Sequence, residues 1–382
     1  MAQTNNRLWF IDAARSIAII MMLQGHFISL TFEDYDVMRG AISTNGTSGS
    51  FLFDVWFQFR GFTAPLFFSI TGLIFVYLLT SPNDLSIWKQ KRVRRGVKRA
   101  ITIIIWGYIL QLNYSNISYY LAGKVNGRFY AFHVLQCIGI GILIIIFIYF
   151  LHKYIKLIPL ALLLALLGIA VFTLHPLVKS MGDSHFPSGA HELIQNIFHG
   201  PHSLFPLTPW LGYILLGGSI GAYIRSIGEK VKEKWFPLKF FIVGVLVCLA
   251  FKGIYTIIEF AFEPEVPFRR SVWFFYRFAE ILLLLTILMY VERIVKKRTT
   301  FFILMGQNTL TIYILHVIVL YGAVIGIGLK TYYEDALTTT QTILGAIVFI
   351  LFFALLSKIQ PAIIRLIKSI PSRLIQKNSE TP

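Results

Sequence analysis

Long apolar runs separated by short polar segments dominate the pattern of the chain. Ten of these runs approach or exceed the ~20 residues that a helix needs to cross a bilayer. They predict membrane spans over residues 8–31, 51–80, 100–121, 131–151, 157–177, 207–225, 237–261, 271–292, 308–328 and 341–366. Residues 301–307 are interpreted as a short interfacial lead-in to the ninth span. The pattern therefore predicts an all-α, polytopic integral membrane protein, with one transmembrane domain over residues 1–382.

Composition and charge support this class of protein. Hydrophobic residues make up 56% of the 382 residues and charged residues 14%, whereas an average soluble domain has ~25% charged residues. The formal net charge of +17 is concentrated in one alternating set of loops, which holds about three times as many Lys and Arg residues as the other set. The positive-inside rule places that set, and with it both termini, in the cytoplasm. Anionic membrane lipid is then the expected partner of this charge, and nucleic acid is not.

The most basic cytoplasmic segment is SIWKQKRVRRGVKRA, residues 86–100. One interpretation is that it fixes the topology and contacts anionic lipid. The alternative is a docking site for an anionic cytoplasmic ligand. In that case the cations that bind the ligand are Lys91, Arg92, Arg94 and Arg95.

The first span carries ionisable residues that a simple lipid anchor does not need, namely Asp12, Arg15 and His26. Such groups cost a few kcal/mol or more in lipid, so they usually face protein or water. Arg15 and His26 are eleven positions apart, which puts them on one helix face with a separation of ~16 Å along the axis. This layout is typical of a site that works across a membrane. His26 is interpreted either as a general base near neutral pH or as a structural hydrogen-bonding residue.

The second span places Asp54 and Arg60 in its outer part, ahead of Pro65. Proline kinks a helix and leaves a backbone carbonyl without its donor. Arg60 then has two interpretations. It pairs with Asp54 or with that carbonyl, or it is a fixed cation in a cavity that stabilises an oxyanion.

The fourth span opens with Arg128, His133 and Gln136 at its outer end. His133 and Gln136 are three residues apart and so share a helix face. They are interpreted as an interfacial cap or as a second part of the site that contains His26.

Other polar residues are expected to be structural. Opposite charges at matching depths in spans seven and eight predict ion pairs across a hairpin, among Lys252, Glu259, Arg277 and Glu280. The alternative is that these residues form a proton or ion path. His316 is expected to form a helix–helix hydrogen bond. A loop facing a polar substrate is favoured over a metal site for His185, His191, His199 and His202. Cys137 and Cys248 lie in apolar runs and are expected to be buried thiols.

Five segments in this order resemble a known family: RLWFIDAARSIAIIMMLQGH, FRGFTAPLFFSITG, FHVLQCIGIG, FPLTPWLGYILLGGSIG and NTLTIYILH. The chain resembles a bacterial member of the transmembrane acyltransferases that share the catalytic domain of heparan-alpha-glucosaminide N-acetyltransferase. The spacing from Arg15 to His26 is also similar to the Arg–ten residues–His motif of the related acyltransferase-3 proteins.

The resemblance implies transfer of an acyl group, usually acetyl, from cytoplasmic acyl-CoA to a sugar hydroxyl or amine across the membrane. His26 would be the catalytic histidine, Arg15 would hold the donor, and Arg60 would line the site. His133 is the next candidate for catalysis. Acetyl-CoA would be a co-substrate, and no permanently bound cofactor or metal is expected. The expected location is the bacterial inner membrane, and a homo-oligomer is compatible with the sequence.

A secondary transporter or exporter of a small polar or glycan-related solute is the alternative function. Ten spans, kinked helices and intramembrane charges suit a transporter. The chain lacks the long internal repeat on which many transporters are built, which favours the acyltransferase.

Overall fold

A computed structural model of the protein describes residues 8–80, 89–112, 121–122, 127–184, 192–199, 202–262, 266–295 and 301–379. These residues fold into fifteen α-helices, which we number in chain order. They are α1 Trp9–Thr31, α2 Tyr35–Asn45, α3 Phe51–Arg60, α4 Thr63–Leu79, α5 Lys91–Ile109, α6 Val134–Ile155, α7 Leu160–Ser184, α8 Glu192–His199, α9 Leu207–Ile227, α10 Phe236–Phe262, α11 Val266–Ile294, α12 Phe301–Gln307, α13 Thr309–Tyr321, α14 Lys330–Tyr333 and α15 Thr339–Ser379.

The predicted all-α membrane fold is confirmed. In the part of the chain that the structure describes, eight helical segments are long and apolar enough to cross a membrane. They are Trp9–Thr31, Phe51–Leu79, Val134–Ile155, Leu160–Lys179, Leu207–Lys232, Phe236–Ile254, Val272–Ile294 and Thr339–Gln360. Each corresponds to one of the ten predicted spans.

The other two predicted spans differ from the helices found there. The span predicted over 100–121 is α5, which begins nine residues earlier at Lys91 and ends at Ile109. Lys and Arg are good helix formers, so the helix starts within the basic segment and ahead of the apolar run. The span predicted over 308–328 is α13, which has 13 residues and ends at Gly322 in the left-handed conformation. Glycine adopts that conformation without a steric penalty, so the helix stops although the sequence remains apolar.

The second predicted span is a broken helix. Helix α3 ends at Arg60 and α4 starts at Thr63, with a turn at Gly61 and Phe62 whose dihedral angles stay in the right-handed helical region. Pro65 lies in the first turn of α4, where its missing N–H costs little. The break places Arg60 at a helix end, next to the interior of the bundle.

Helix α1 is at the centre of the bundle and packs against α4, α11, α12, α13 and α15. The predicted interfacial lead-in is α12, in which Ile303 and Met305 are buried, and the Gly306 N–H donates to Ser16 Oγ over 3.2 Å. Further along the chain, Tyr321 lies at the level of His26. Helices α12 and α13 therefore follow α1 in the same direction, and this brings them to the site residues.

Helices α4 and α9 approach each other closely through glycines in the core. A Cβ atom added to Gly72 would overlap the Ile214 carbonyl, and one added to Gly217 would overlap the Ser69 carbonyl. Small residues let membrane helices approach this closely, because packing drives their association. This contact fixes α4, and with it Arg60 at the preceding break.

We expect Gly72→Val to lower the free energy of unfolding by about 1–3 kcal/mol, the usual cost of overpacking a tight core. Gly253→Val on α10 is the matched control, because no atom lies within 4 Å of an added Cβ there. Thermal unfolding of the two purified variants in detergent tests this. Equal stabilities would show that α4 and α9 do not need a glycine at this contact.

Candidate active site

A cavity of about 1080 Å³ opens between α1, α3, α4, α5, α6, α9, α11 and α13. His26, Arg60 and His133 all line it. These residues come from three separate segments of the sequence, and the fold brings them together around one space. The lining is mainly apolar with a few polar side chains, which is typical of sites for small molecules.

His26 is hydrogen-bonded to a partner near the other end of the chain. Its Nδ1 atom lies 2.9 Å from the Tyr321 hydroxyl. The His316 ring stands nearly perpendicular to the His26 ring, with 5.3 Å between centroids. Tyr321 can thus hold one nitrogen of His26 and leave Nε2 available for chemistry.

The hydrogen bond of His316 lies within its own helix, so the expected bond between helices was wrong. Its Nδ1 lies 3.2 Å from the Ile312 carbonyl oxygen. A carbonyl only accepts, so Nδ1 carries the proton. The buried Nε2 of His316 then has a lone pair and, within the described part of the chain, no partner.

Arg60 lies beside His26. Its Nη1 donates to the Tyr35 hydroxyl over 2.5 Å, and the guanidinium carbon is 5.8 Å from the Trp56 ring centroid. The side chain crosses Gly25, where an added Cβ would lie 3.5 Å from Arg60 Cγ. Aromatic rings and a hydroxyl therefore hold the guanidinium in place next to His26.

The proposed ion pair between Arg60 and Asp54 was wrong. The Asp54 carboxylate instead accepts from the Thr47 hydroxyl over 2.5 Å and from the Ser48 N–H over 2.8 Å. These bonds tie the carboxylate to the loop before α3. Among the residues that the structure describes, no carboxylate pairs with Arg60, so its charge can act on a ligand.

His133 and Gln136 lie at the start of α6, where His133 is the N-cap residue. Both line the cavity, and Gln136 is completely buried. The shared face predicted from their spacing is confirmed. The side chain of Arg128, which was grouped with them, lies outside the described residues.

Arg277 is a residue of the cavity that the sequence analysis assigned to a structural role. Its guanidinium donates to Glu280 within α11 over 2.8 Å and lies 4.4 Å from the Trp273 ring centroid. The expected ion pairs across the hairpin were therefore wrong for Arg277 and Glu280, and the side chain of Glu259 lies outside the described residues. The sequence signal for Arg277 was a cation within an apolar run. Its position in the sequence did not show that its side chain faces this cavity.

Among the described residues, those that line this cavity include two guanidinium groups, from Arg60 and Arg277, and no carboxylate. Glu280, which does not line the cavity, offsets part of the charge of Arg277. The cavity is consequently electropositive, which suits a reaction in which negative charge develops on an oxygen.

A smaller cavity of about 100 Å³ adjoins the first and is lined by Arg15 and Arg99. Arg15 Nη2 donates to Thr309 Oγ1 over 3.1 Å, and Arg15 Nη1 lies 3.9 Å from Asp12 Oδ1. Arg99, one helical turn beyond Arg95 on α5, was not singled out from the sequence. The side chains that line both cavities, and so lie between them, are Phe67, Leu135 and Tyr313.

The four basic residues predicted to bind the donor lie on the first turns of α5 and are exposed. They line neither of these two cavities. They are Lys91, Arg92, Arg94 and Arg95.

A metal site in the histidine-rich loop falls largely outside the described residues, which include neither His185 nor His191. In the described ranges, no group of three or more His, Cys, Asp or Glu residues is able to hold a metal ion. Cys137 is a buried free thiol, as predicted, and Cys248 is a partly buried one.

Apolar membrane helices that enclose an imidazole, two guanidinium groups and an adjoining basic cavity have the features of a group-transfer site inside a membrane protein. The catalytic-domain model of heparan-alpha-glucosaminide N-acetyltransferase matches residues 7–250 of the chain. The match covers well over half of the sequence, and the chain belongs to this family. Membership supports a membrane acetyltransferase activity. No curated protein matches the chain.

Proposed function

We propose that the protein transfers an acetyl or other acyl group from cytoplasmic acyl-CoA to a sugar hydroxyl or amine on the extracytoplasmic side of a bacterial inner membrane. The observation that carries the proposal is the pair of adjoining cavities, one with His26 and Arg60 and the other with Arg15 and Arg99. The family supports acetyl transfer. Its name makes a glucosaminide the first acceptor to test.

The smaller cavity, of about 100 Å³, is much smaller than coenzyme A, and we assign it only to the phosphate groups of the donor. Arg15 and Arg99 supply cations for the phosphates of coenzyme A, and guanidinium groups bind phosphate in a bidentate manner. The pantetheine arm then passes Phe67, Leu135 and Tyr313 to reach His26. Arg15 and His26 are separated by ~16 Å along α1, which is comparable to the reach of that arm.

The larger cavity suits the chemical step. In the tautomer with the proton on Nδ1, His26 donates a hydrogen bond to the Tyr321 hydroxyl, and Nε2 takes the proton of the acceptor hydroxyl or amine. The acceptor oxygen or nitrogen attacks the thioester carbonyl carbon, and Arg60 stabilises the oxyanion of the tetrahedral intermediate. The C–S bond then breaks, and the coenzyme A thiolate leaves with the proton from the imidazolium.

A two-step route uses the same residues. Nε2 of His26 attacks the thioester carbonyl carbon, the C–S bond breaks, and the coenzyme A thiolate leaves. The acceptor hydroxyl or amine then attacks the acetyl-imidazole, the N–C bond breaks, and the acceptor's proton passes through the freed Nε2 to the thiolate. His133 lines the same cavity and is the second candidate for the base. Acetyl-CoA is a co-substrate in either route, and neither route needs a resident cofactor or metal.

The direct test supplies labelled acetyl-CoA to one face of lipid vesicles that contain the purified protein and methyl α-glucosaminide to the other face. The acetyl label should appear on the sugar only when acetyl-CoA is on the membrane face that exposes the basic first turns of α5. Labelling of an Arg92→Cys variant assigns that face, because Arg92 is exposed. Passage of unmodified sugar without acetyl transfer would favour the transporter.

We expect His26→Ala to lower turnover by about 10²–10⁴-fold, the usual contribution of a general base. Affinity for acetyl-CoA should stay near that of the wild type, because the donor cations are in the other cavity. His152→Ala is the control, since His152 lies at the opposite end of α6 from His133 and lines neither cavity. Near-normal turnover of His26→Ala would exclude His26 as the general base and make His133 the next candidate. Loss of both folding and acetyl-CoA binding would indicate a structural histidine.

We expect Tyr321→Phe to lower kcat by about fivefold, since a hydrogen bond of this kind contributes ~1 kcal/mol. The KM for acetyl-CoA should not change, because Tyr321 orients His26 and does not contact the donor. Tyr332→Phe removes a hydroxyl from an exposed tyrosine and serves as the control. An equal fall of kcat in both variants would argue against the orienting role.

We expect Arg15→Ala and Arg99→Ala to weaken acetyl-CoA binding by about 10–100-fold, as for a lost hydrogen bond to a charged group. The affinity for the sugar should change much less. Arg92→Ala, on the same helix as Arg99 but outside both cavities, provides the comparison. A larger loss in Arg92→Ala would assign the donor phosphates to the exposed basic turns of α5.

A further inference from the structure

Buried polar atoms without partners gather on one wall of the larger cavity. Gln136 is completely buried, and both its Oε1 and its Nε2 lack a hydrogen-bond partner among the described residues. Gln111 lies two residues after the end of α5, and its Nε2 donates to the Ala131 carbonyl over 2.8 Å. Its Oε1 has no partner among the described residues. Buried polar atoms are rarely left unpaired, because each costs ~1–3 kcal/mol.

Tight packing holds the Gln136 amide at this wall. Gly107 of α5 faces it, and an added Cβ at Gly107 would lie 2.6 Å from Gln136 Cδ and 2.7 Å from Oε1. Any larger residue at position 107 would have to displace the amide. The backbone of α5 therefore approaches Gln136 closely, and the protein leaves its hydrogen-bonding capacity unused.

The unused atoms define the chemistry of their ligand. A carboxamide offers two N–H donors and a carbonyl acceptor and has no charge. It suits a neutral group that donates and accepts at the same time, such as a hydroxyl. Phe205 and Trp210 line the same cavity, with 4.8 Å between their ring centroids, and provide an apolar surface for the C–H groups of a sugar ring.

We propose that Gln136 binds a ring hydroxyl of the acceptor sugar, other than the position that receives the acyl group, and so determines acceptor specificity. The inference rests on the proposed function. The amides of pantetheine have similar hydrogen-bonding chemistry. The acceptor is favoured because Gln136 lines only the larger cavity, whereas the donor cations Arg15 and Arg99 line the smaller one.

The test measures binding of methyl α-glucosaminide and its monodeoxy analogues to the purified full-length protein without acetyl-CoA. The readout is tryptophan fluorescence, since Trp210 and Trp273 line the cavity. We expect Gln136→Leu to weaken binding of the parent sugar by about tenfold or more. One monodeoxy analogue should bind the wild type more weakly than the parent sugar does, by a similar factor. Gln136→Leu should bind that analogue and the parent sugar equally well.

Two further measurements separate a binding role from a structural role. Gln136→Leu should be at least as stable to heat as the wild type, because it replaces unpaired buried atoms with apolar ones. Gly107→Ala should also weaken sugar binding, since its Cβ displaces the amide. Acetyl-CoA affinity should stay unchanged in both variants.

The inference is overturned if the wild type does not bind the sugar, if Gln136→Leu binds it with unchanged affinity, or if all analogues lose affinity equally. It is also overturned if Gln136→Leu weakens acetyl-CoA binding instead, which would place pantetheine at this wall. Failure of the proposed function appears separately, as absence of acetyl transfer by a wild-type protein that binds the sugar.

Discussion

A polar group enclosed by apolar helices needs a partner, because an unpaired one costs several kcal/mol. Helix α1 carries such groups along its length, and it finds their partners far away in the sequence. The pairs are the Trp9 N–H with Glu292, Arg15 with Thr309, and His26 with Tyr321. These contacts require α11 and α13 to lie against α1. The cavity forms where that packing leaves space, so the requirement that holds the bundle together also builds the site.

The membrane fold was largely predictable, because the length of an apolar run is a property of the sequence alone. Eight of the predicted spans correspond to helices long and apolar enough to cross a membrane. The bounds of α5 and α13 were not predictable in the same way. Apolarity says nothing of a helix that continues into a basic segment, as at Lys91, or of one that stops at a left-handed glycine, as at Gly322.

Local spacing also predicted part of the site, since residues on one helix face stay together in the fold. This holds for His133 with Gln136. Contacts between helices that are distant in the sequence could not be predicted from spacing along a single helix. The partners of Arg60 are aromatic residues and not Asp54, because Asp54 is already satisfied by its own loop. The same limit applies to Arg277, whose spacing suggested an ion pair across a hairpin and whose actual partner is one turn away.

The bond between His26 and Tyr321 joins residues 295 positions apart, and this has a consequence for biosynthesis. At ~5–20 residues per second, synthesis of the intervening chain takes roughly 15–60 s. Helix α1 therefore enters the membrane well before α13 exists, with its imidazole and guanidinium facing an unfinished bundle. During that interval other groups, such as water, lipid headgroups or the insertion machinery, have to solvate these side chains. The first helix to be made therefore waits through this whole interval for the partners of its polar groups.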